Sequence, residues 1–139
     1  MFEDFLKSGK VRKAAPDIAL AKSLISMSVS NLLFVSGNTI TDKNASPILV
    51  NYYEALREIC EAICVKNGFK VYSHEAFTSY LKEFLKEDRI AEAFDRLRKL
   101  RNGINYYGEQ VSAGEAIASA RDVKFLIETL KKKYLSEFK

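Results

Sequence analysis

A single histidine, His74, is all that this sequence offers, and that scarcity excludes every site built on two imidazoles, such as the H-E-x-x-H zinc hydrolases. Two cysteines in 139 residues exclude a disulfide-stapled scaffold, and six Gly with two Pro exclude collagen-like and low-complexity chains. Tryptophan is absent. No uninterrupted apolar run approaches the ~18–20 residues that span a bilayer, and the opening MFEDFLKSGK is too polar and acidic for a signal peptide. These two absences predict a cytoplasmic protein with no membrane partner.

What is present describes one globular domain over residues 1–139, because a chain that is 47% hydrophobic and 29% charged buries roughly two-thirds of its unfolded surface without a metal or disulfide. The net charge of +4 is mild and does not by itself argue for nucleic acid. Its distribution is uneven. Arg96, Arg98, Lys99 and Arg101 place four cations in six residues. Lys131, Lys132 and Lys133 read as a solvated last helical turn that complements the helix dipole. Cys60 and Cys64, at i and i+4 with no further Cys and no nearby His, read as reduced core thiols. The carboxylates Glu54, Glu58 and Glu61 read as a solvated helix face and not as a metal site.

Apolar spacing of three and four residues recurs along most of the chain. Leu20, Leu24, Val29, Leu32 and Leu33 predict an inward stripe on a helix from Asp17 to Ser36, opened by Pro16 and closed by Gly37. After the polar loop GNTITDKNAS, Ser46 as N-cap and Pro47 at the first helical position start a second long helix that Asn67-Gly68 ends. Residues 69–72 are the one place where a strand is conceivable. Ser73 then caps a shorter helix with Phe77, Tyr80, Leu81, Phe84 and Leu85 inward, and Asp88 caps the next, which runs to about Tyr107. Ser112 and Glu115 form a capping box for the last helix, along the seam Ala116, Ala120, Val123, Ile127, Leu130, Tyr134. The expected fold is an all-α, up-and-down bundle of four main helices plus one or two short ones, with a short N-terminal piece at 2–7.

One residue breaks the pattern. On the helix that follows Asp88 the inward stripe is Ile90, Phe94, Leu97 and Ile104, and Arg101 falls inside it. A guanidinium placed there meets an acceptor in a cleft, faces a partner chain, or snorkels to a carboxylate such as Glu54 or Glu58. Asn105 follows at i+4 on the same side. Gly103 weakens the helix by ~1 kcal/mol relative to Ala, as a glycine does where another group approaches closely.

With Arg101-Asn102 near the end of the penultimate helix, the long helix around YYEALREICEAI, the turn GFKVYSHEAF and a capped last helix, the chain resembles the HEPN superfamily. The family motif is Arg, often followed by a polar residue such as Asn, then His after four to six positions; here those positions hold Tyr106, Tyr107 and Gly108. The resemblance implies a homodimer and a metal-independent endoribonuclease chemistry in which Arg101 and Asn102 contact phosphate, with Tyr106 in the place of the histidine. Tyr has an unperturbed pKa of ~10 and is a poor base at neutral pH. The expectation is therefore a groove of Arg98, Arg101 and Asn105 that contacts RNA or a nucleotide weakly, with degenerate ribonuclease activity and neither metal nor cofactor. The dimer is expected through the Arg101 stripe and the apolar ends of the first and fourth long helices. Two alternatives stand beside it: a non-catalytic module that partners a nucleotidyltransferase or other enzyme, and an active ribonuclease that uses Tyr106 or His74. A toxin subgroup paired with a nucleotidyltransferase antitoxin carries a Tyr two residues beyond its His; Gly108 holds that position here, so nucleotide transfer to that tyrosine is not expected.

Overall fold

The structure, a computed structural model, describes residues 1–138; Lys139, the last residue of the span read as one domain, lies outside the described residues. In chain order the elements are α1 (Phe2–Ser8), β1 (Val11–Lys13), α2 (Ile18–Ser36), α3 (Ala45–Lys66), β2 (Phe69–Val71), α4 (His74–Ser79) continuing into a π-helical turn (Tyr80–Phe84), α5 (Asp88–Tyr107) and α6 (Ala113–Tyr134). The protein is an all-α helical bundle: α2, α3, α5 and α6 are the four long helices, and α1 and α4 the short ones.

Helix α3 is the axis of the bundle, because 15 of its 22 residues are buried and α2, α4, α5, α6 and β2 all pack on it. Its ALREICEAICV stretch is apolar except for Arg57, Glu58 and Glu61, each of which finds a side-chain partner, so it fits a site enclosed on most sides. Tyr53, Leu56, Ile59, Ile63 and Cys64 are within 1% of full burial. Both cysteines are free and buried, as the sequence predicted. Several start and stop signals differ from expectation by a residue or two. Helix α3 begins at Ala45, with Asn44 as N-cap and Ser46 already inside, where its Oγ accepts the Val111 amide at 3.1 Å. Asp88 is the first residue of α5 and Glu87 its cap.

Two larger differences matter more. Val11–Lys13, not foreseen as a strand, pairs antiparallel with β2 in the register Val11↔Val71 and Lys13↔Phe69. Periodicity cannot reveal a strand of three residues. On α2 the predicted inward set is largely wrong: Ala21, Leu24, Ser28 and Val35 are buried, while Leu20, Val29 and Leu33 are exposed. The small residues Ala21 and Ser28 let α2 sit close to α3, with the Ser28 hydroxyl donating to the Ala55 carbonyl at 2.7 Å. An apolar count alone favours the larger side chains and so selects the wrong face. Helix α2, 19 residues with a most apolar window of mean hydropathy 1.7, is also long and apolar enough to cross a membrane by length and composition. That corrects the expectation that no segment reaches this size, since the serines that interrupt its apolar run carry no charge.

Candidate functional site

Arg101 lies on α5 one turn beyond Leu97, where the helix turns its buried stripe toward α3, so its guanidinium emerges at the edge of the core. It is half-buried and lies 5.8 Å from the ring centre of the fully buried Tyr53 on α3 and 5.5 Å from that of Tyr106. Cation–π contacts of this kind contribute ~0.5–2 kcal/mol, more when the cation is desolvated. Nη1 donates to Asn102 Oδ1 at 3.1 Å and to the Tyr106 hydroxyl at 3.3 Å. Among the described residues the buried Nε has no partner.

The carboxylates that were candidates to answer Arg101 are engaged elsewhere. Arg57, on the same helix, pairs with Glu54 one turn before it and also with Glu61, which was not a candidate for Arg101, one turn after it at 2.8 Å. Glu58 is buried and not on a solvated face; Asn31 of α2 donates to it at 2.7 Å. Burial pushes its carboxyl above the usual range, against the Asn31 hydrogen bond and with Glu54 adding to the rise. Among the described residues no carboxylate lies within ion-pair distance of Arg101.

His74 opens α4 and reaches Tyr53 from the other side, with Nδ1 2.9 Å from the Tyr53 hydroxyl. Burial, then the nearby charges of Arg101 and Arg57, hold its pKa down to about 4, so the ring is neutral at pH 7. Burial drives the Tyr53 hydroxyl the other way, well above the ordinary tyrosine value, and keeps it protonated. The result is a connected group, Arg101 over Tyr53 and Tyr53 bonded to His74, that joins three helices.

The remaining predicted residues are placed differently. Arg98 turns away to Asp95, which it meets at 2.8 Å and which Lys99 and Thr78 also contact. Asn105 is exposed, and Arg101 is instead supported by Asn102 and Tyr106. Gly103 is buried because the chain's own Glu109 folds over it: a Cβ there would lie 2.0 Å from Glu109 Oε2. The close approach implied by that glycine is therefore made by a side chain of the following loop. Tyr53 was not singled out from the sequence; the signal that it serves this site is that a buried phenol needs a polar partner, and His74 is one. Five clefts of 410 to 570 Å³ open elsewhere on the surface, and none has Arg101, Tyr53, His74 or Tyr106 in its wall. At the Arg101 site the guanidinium lies against the rings of Tyr53 and Tyr106. Family models compared with the chain yield no match, and neither do the curated proteins.

Proposed function

We propose that the chain is a HEPN-like protein that contacts a phosphate-bearing ligand, RNA or a nucleotide, through Arg101, supported by Asn102 and Tyr106, and that cleaves RNA poorly. One observation carries this reading: the half-buried Arg101 guanidinium has no carboxylate partner among the described residues, because Glu54 and Glu58, its candidate partners, are held by Arg57 and Asn31. A permanently charged planar donor without a carboxylate suits bidentate contact with phosphate. Tyr106 holds its hydroxyl toward that guanidinium and is 67% exposed, which suits a ligand contact and not proton transfer.

The deciding experiment is a titration of fluorescent single-stranded RNA with the intact protein and two variants. Arg101→Ala is expected to abolish binding, while Arg96→Ala, whose guanidinium is tied to Asp122 at 2.7 Å, is expected to leave most of it. Equal losses would mean diffuse surface attraction and no site.

A second reading, metal-independent cleavage with His74 moving the proton, is favoured by the Tyr53–His74 hydrogen bond beneath Arg101. Loss of a positioned acid or base costs ~10²- to 10⁴-fold, so robust cleavage that His74→Ala abolishes, and that a chelator leaves intact, would replace the first reading with the second.

A further inference from the structure

A phenol hydroxyl has one hydrogen to give, and in a place closed to water that hydrogen needs an acceptor. Tyr53 has no exposed surface, and among the described residues its hydroxyl has a single partner, His74 Nδ1 at 2.9 Å. Donation from Nδ1–H to the phenol oxygen would leave the phenol hydrogen buried and unpaired, which costs ~1–3 kcal/mol. Donation from the phenol to Nδ1 leaves nothing over. The hydroxyl has the proton to give, because burial holds its pKa well above the ordinary tyrosine value. The imidazole beside it is neutral at pH 7, since burial and the charges of Arg101, Arg57 and Arg98 outweigh that of Glu54 and bring its pKa down to about 4. A neutral imidazole carries one proton, so acceptance at Nδ1 puts that proton on Nε2.

Nε2 lies across the ring from the Tyr53 contact. Among the described residues the one partly buried side-chain polar atom that is sealed from water without a partner is Arg101 Nε, so Nε2, which bonds to no group of the protein, reaches solvent. The Arg101 guanidinium and the His74 ring are each 5.8 Å from the centre of the Tyr53 ring. We infer that His74 Nε2–H is the second, uncharged donor of the Arg101 site, that it donates to an oxygen of the phosphate-bearing ligand, and that Tyr53 is the positioning residue that fixes its tautomer. This role rests on the reading of Arg101 as the phosphate contact. It also separates binding from proton transfer. With Nδ1 accepting from Tyr53 and Nε2 protonated, the imidazole has no free lone pair for an attacking hydroxyl, so His74 holds the ligand and does not act as its base.

His74 is the single histidine of the chain, so a proton–nitrogen correlation spectrum of the isotope-labelled intact protein at pH 7 contains one imidazole and reads its tautomer directly. A protonated Nε2 and an unprotonated Nδ1 are expected before any ligand is added, and Tyr53→Phe is expected to admit the Nδ1–H form. In a titration with a fluorescent single-stranded oligouridylate, His74→Ala is expected to bind about two- to tenfold more weakly, the range of one neutral hydrogen bond. Its salt dependence should match the parent's, because no charge has been removed. Gln places an amide N–H close to the position of Nε2, so His74→Gln is expected to keep most of the affinity. A proton on Nδ1 overturns the inference whatever the RNA does, and returns a lone pair on Nε2 to the proton-transfer reading. Equal losses in His74→Ala and His74→Gln mark a packing role and overturn it as well. So does His74→Ala binding like the parent while Arg101→Ala does not bind, a result that leaves the Arg101 reading standing. A parent that binds no RNA fails at Arg101 itself and takes the donor role with it.

Discussion

His74 shows how much one buried contact does to a titrating group. In the unfolded chain its pKa returns to about 6.5, whereas the fold holds it at about 4, so between these values the unfolded state binds more protons. Stability therefore rises with pH across that window and falls on acidification from pH 6.5 to 4. Because the ring is only partly buried, the effect is of order 1 kcal/mol after screening. Thermal melts from pH 4 to 7 are expected to lose this dependence in His74→Gln. A melting temperature that is flat over that range in the parent would contradict it. Glu58 works in the opposite direction, since its raised carboxyl favours the folded state most at low pH, and that contribution is lost as pH rises through its folded value. Cys60 is a second residue-scale case: burial pushes its thiol up to about 12 and Cys64 higher than its ordinary value. Since the thiolate is the reactive form, neither is expected to react with iodoacetamide at pH 8 until the protein unfolds, and fast labelling of the native chain would count against the burial described. Arg101 was visible in the sequence as a cation in an apolar stripe. Which groups answer it was not, because helical spacing gives the side of the helix and says nothing about Arg57 having already claimed Glu54 and Glu61.

At the scale of elements, the turns that end the helices make separable demands. Gly108 follows α5 at φ +67 with open space around its missing Cβ. Gly68, which follows α3, has φ +87, and a Cβ there would lie 2.8 Å from the Ala14 carbonyl oxygen. Only the backbone conformation penalises a side chain at Gly108, so Gly108→Ala is expected to cost ~1–2 kcal/mol. Gly68→Ala adds a collision with a backbone whose Ala14 amide donates to the Gly68 carbonyl at 2.8 Å, and is expected to cost distinctly more. Urea unfolding of the two variants measures the difference, and equal losses would mean that the β1–β2 junction yields easily. Gly68 was legible as a stop, and the end of α5 near Tyr107 was legible too. So was Ser112, whose Oγ accepts from the Glu115 amide at 3.1 Å. Helix existence came through because α3, α5 and α6 have strong periodic faces. The face of α2 did not, because Ala21 and Ser28 choose the packed side while leucines and a phenylalanine point away, and the choice depends on how closely α3 can approach.

For the molecule as a whole, the decisive quantity is how few of the cations near the Arg101 site are free to meet an anion. Of the four in the Arg96–Arg101 cluster, Arg96 pairs with Asp122, and Arg98 and Lys99 share Asp95; Lys133 pairs with Glu87 and Lys66 with Glu137. Among the described residues Arg101 remains the cation of its cluster without a carboxylate. Each phosphate neutralised on a single strand steepens the dependence of log K on log salt by ~0.7. One guanidinium with a neighbour or two predicts a slope near −1 to −2 for single-stranded RNA. Arg101→Ala is expected to remove most of that slope together with the binding, and Arg96→Ala to change it little. A slope of −4 or steeper that survives Arg101→Ala would show that the strand follows a broad basic surface, and the Arg101 site beside the ring of Tyr53 would lose its claim to the ligand.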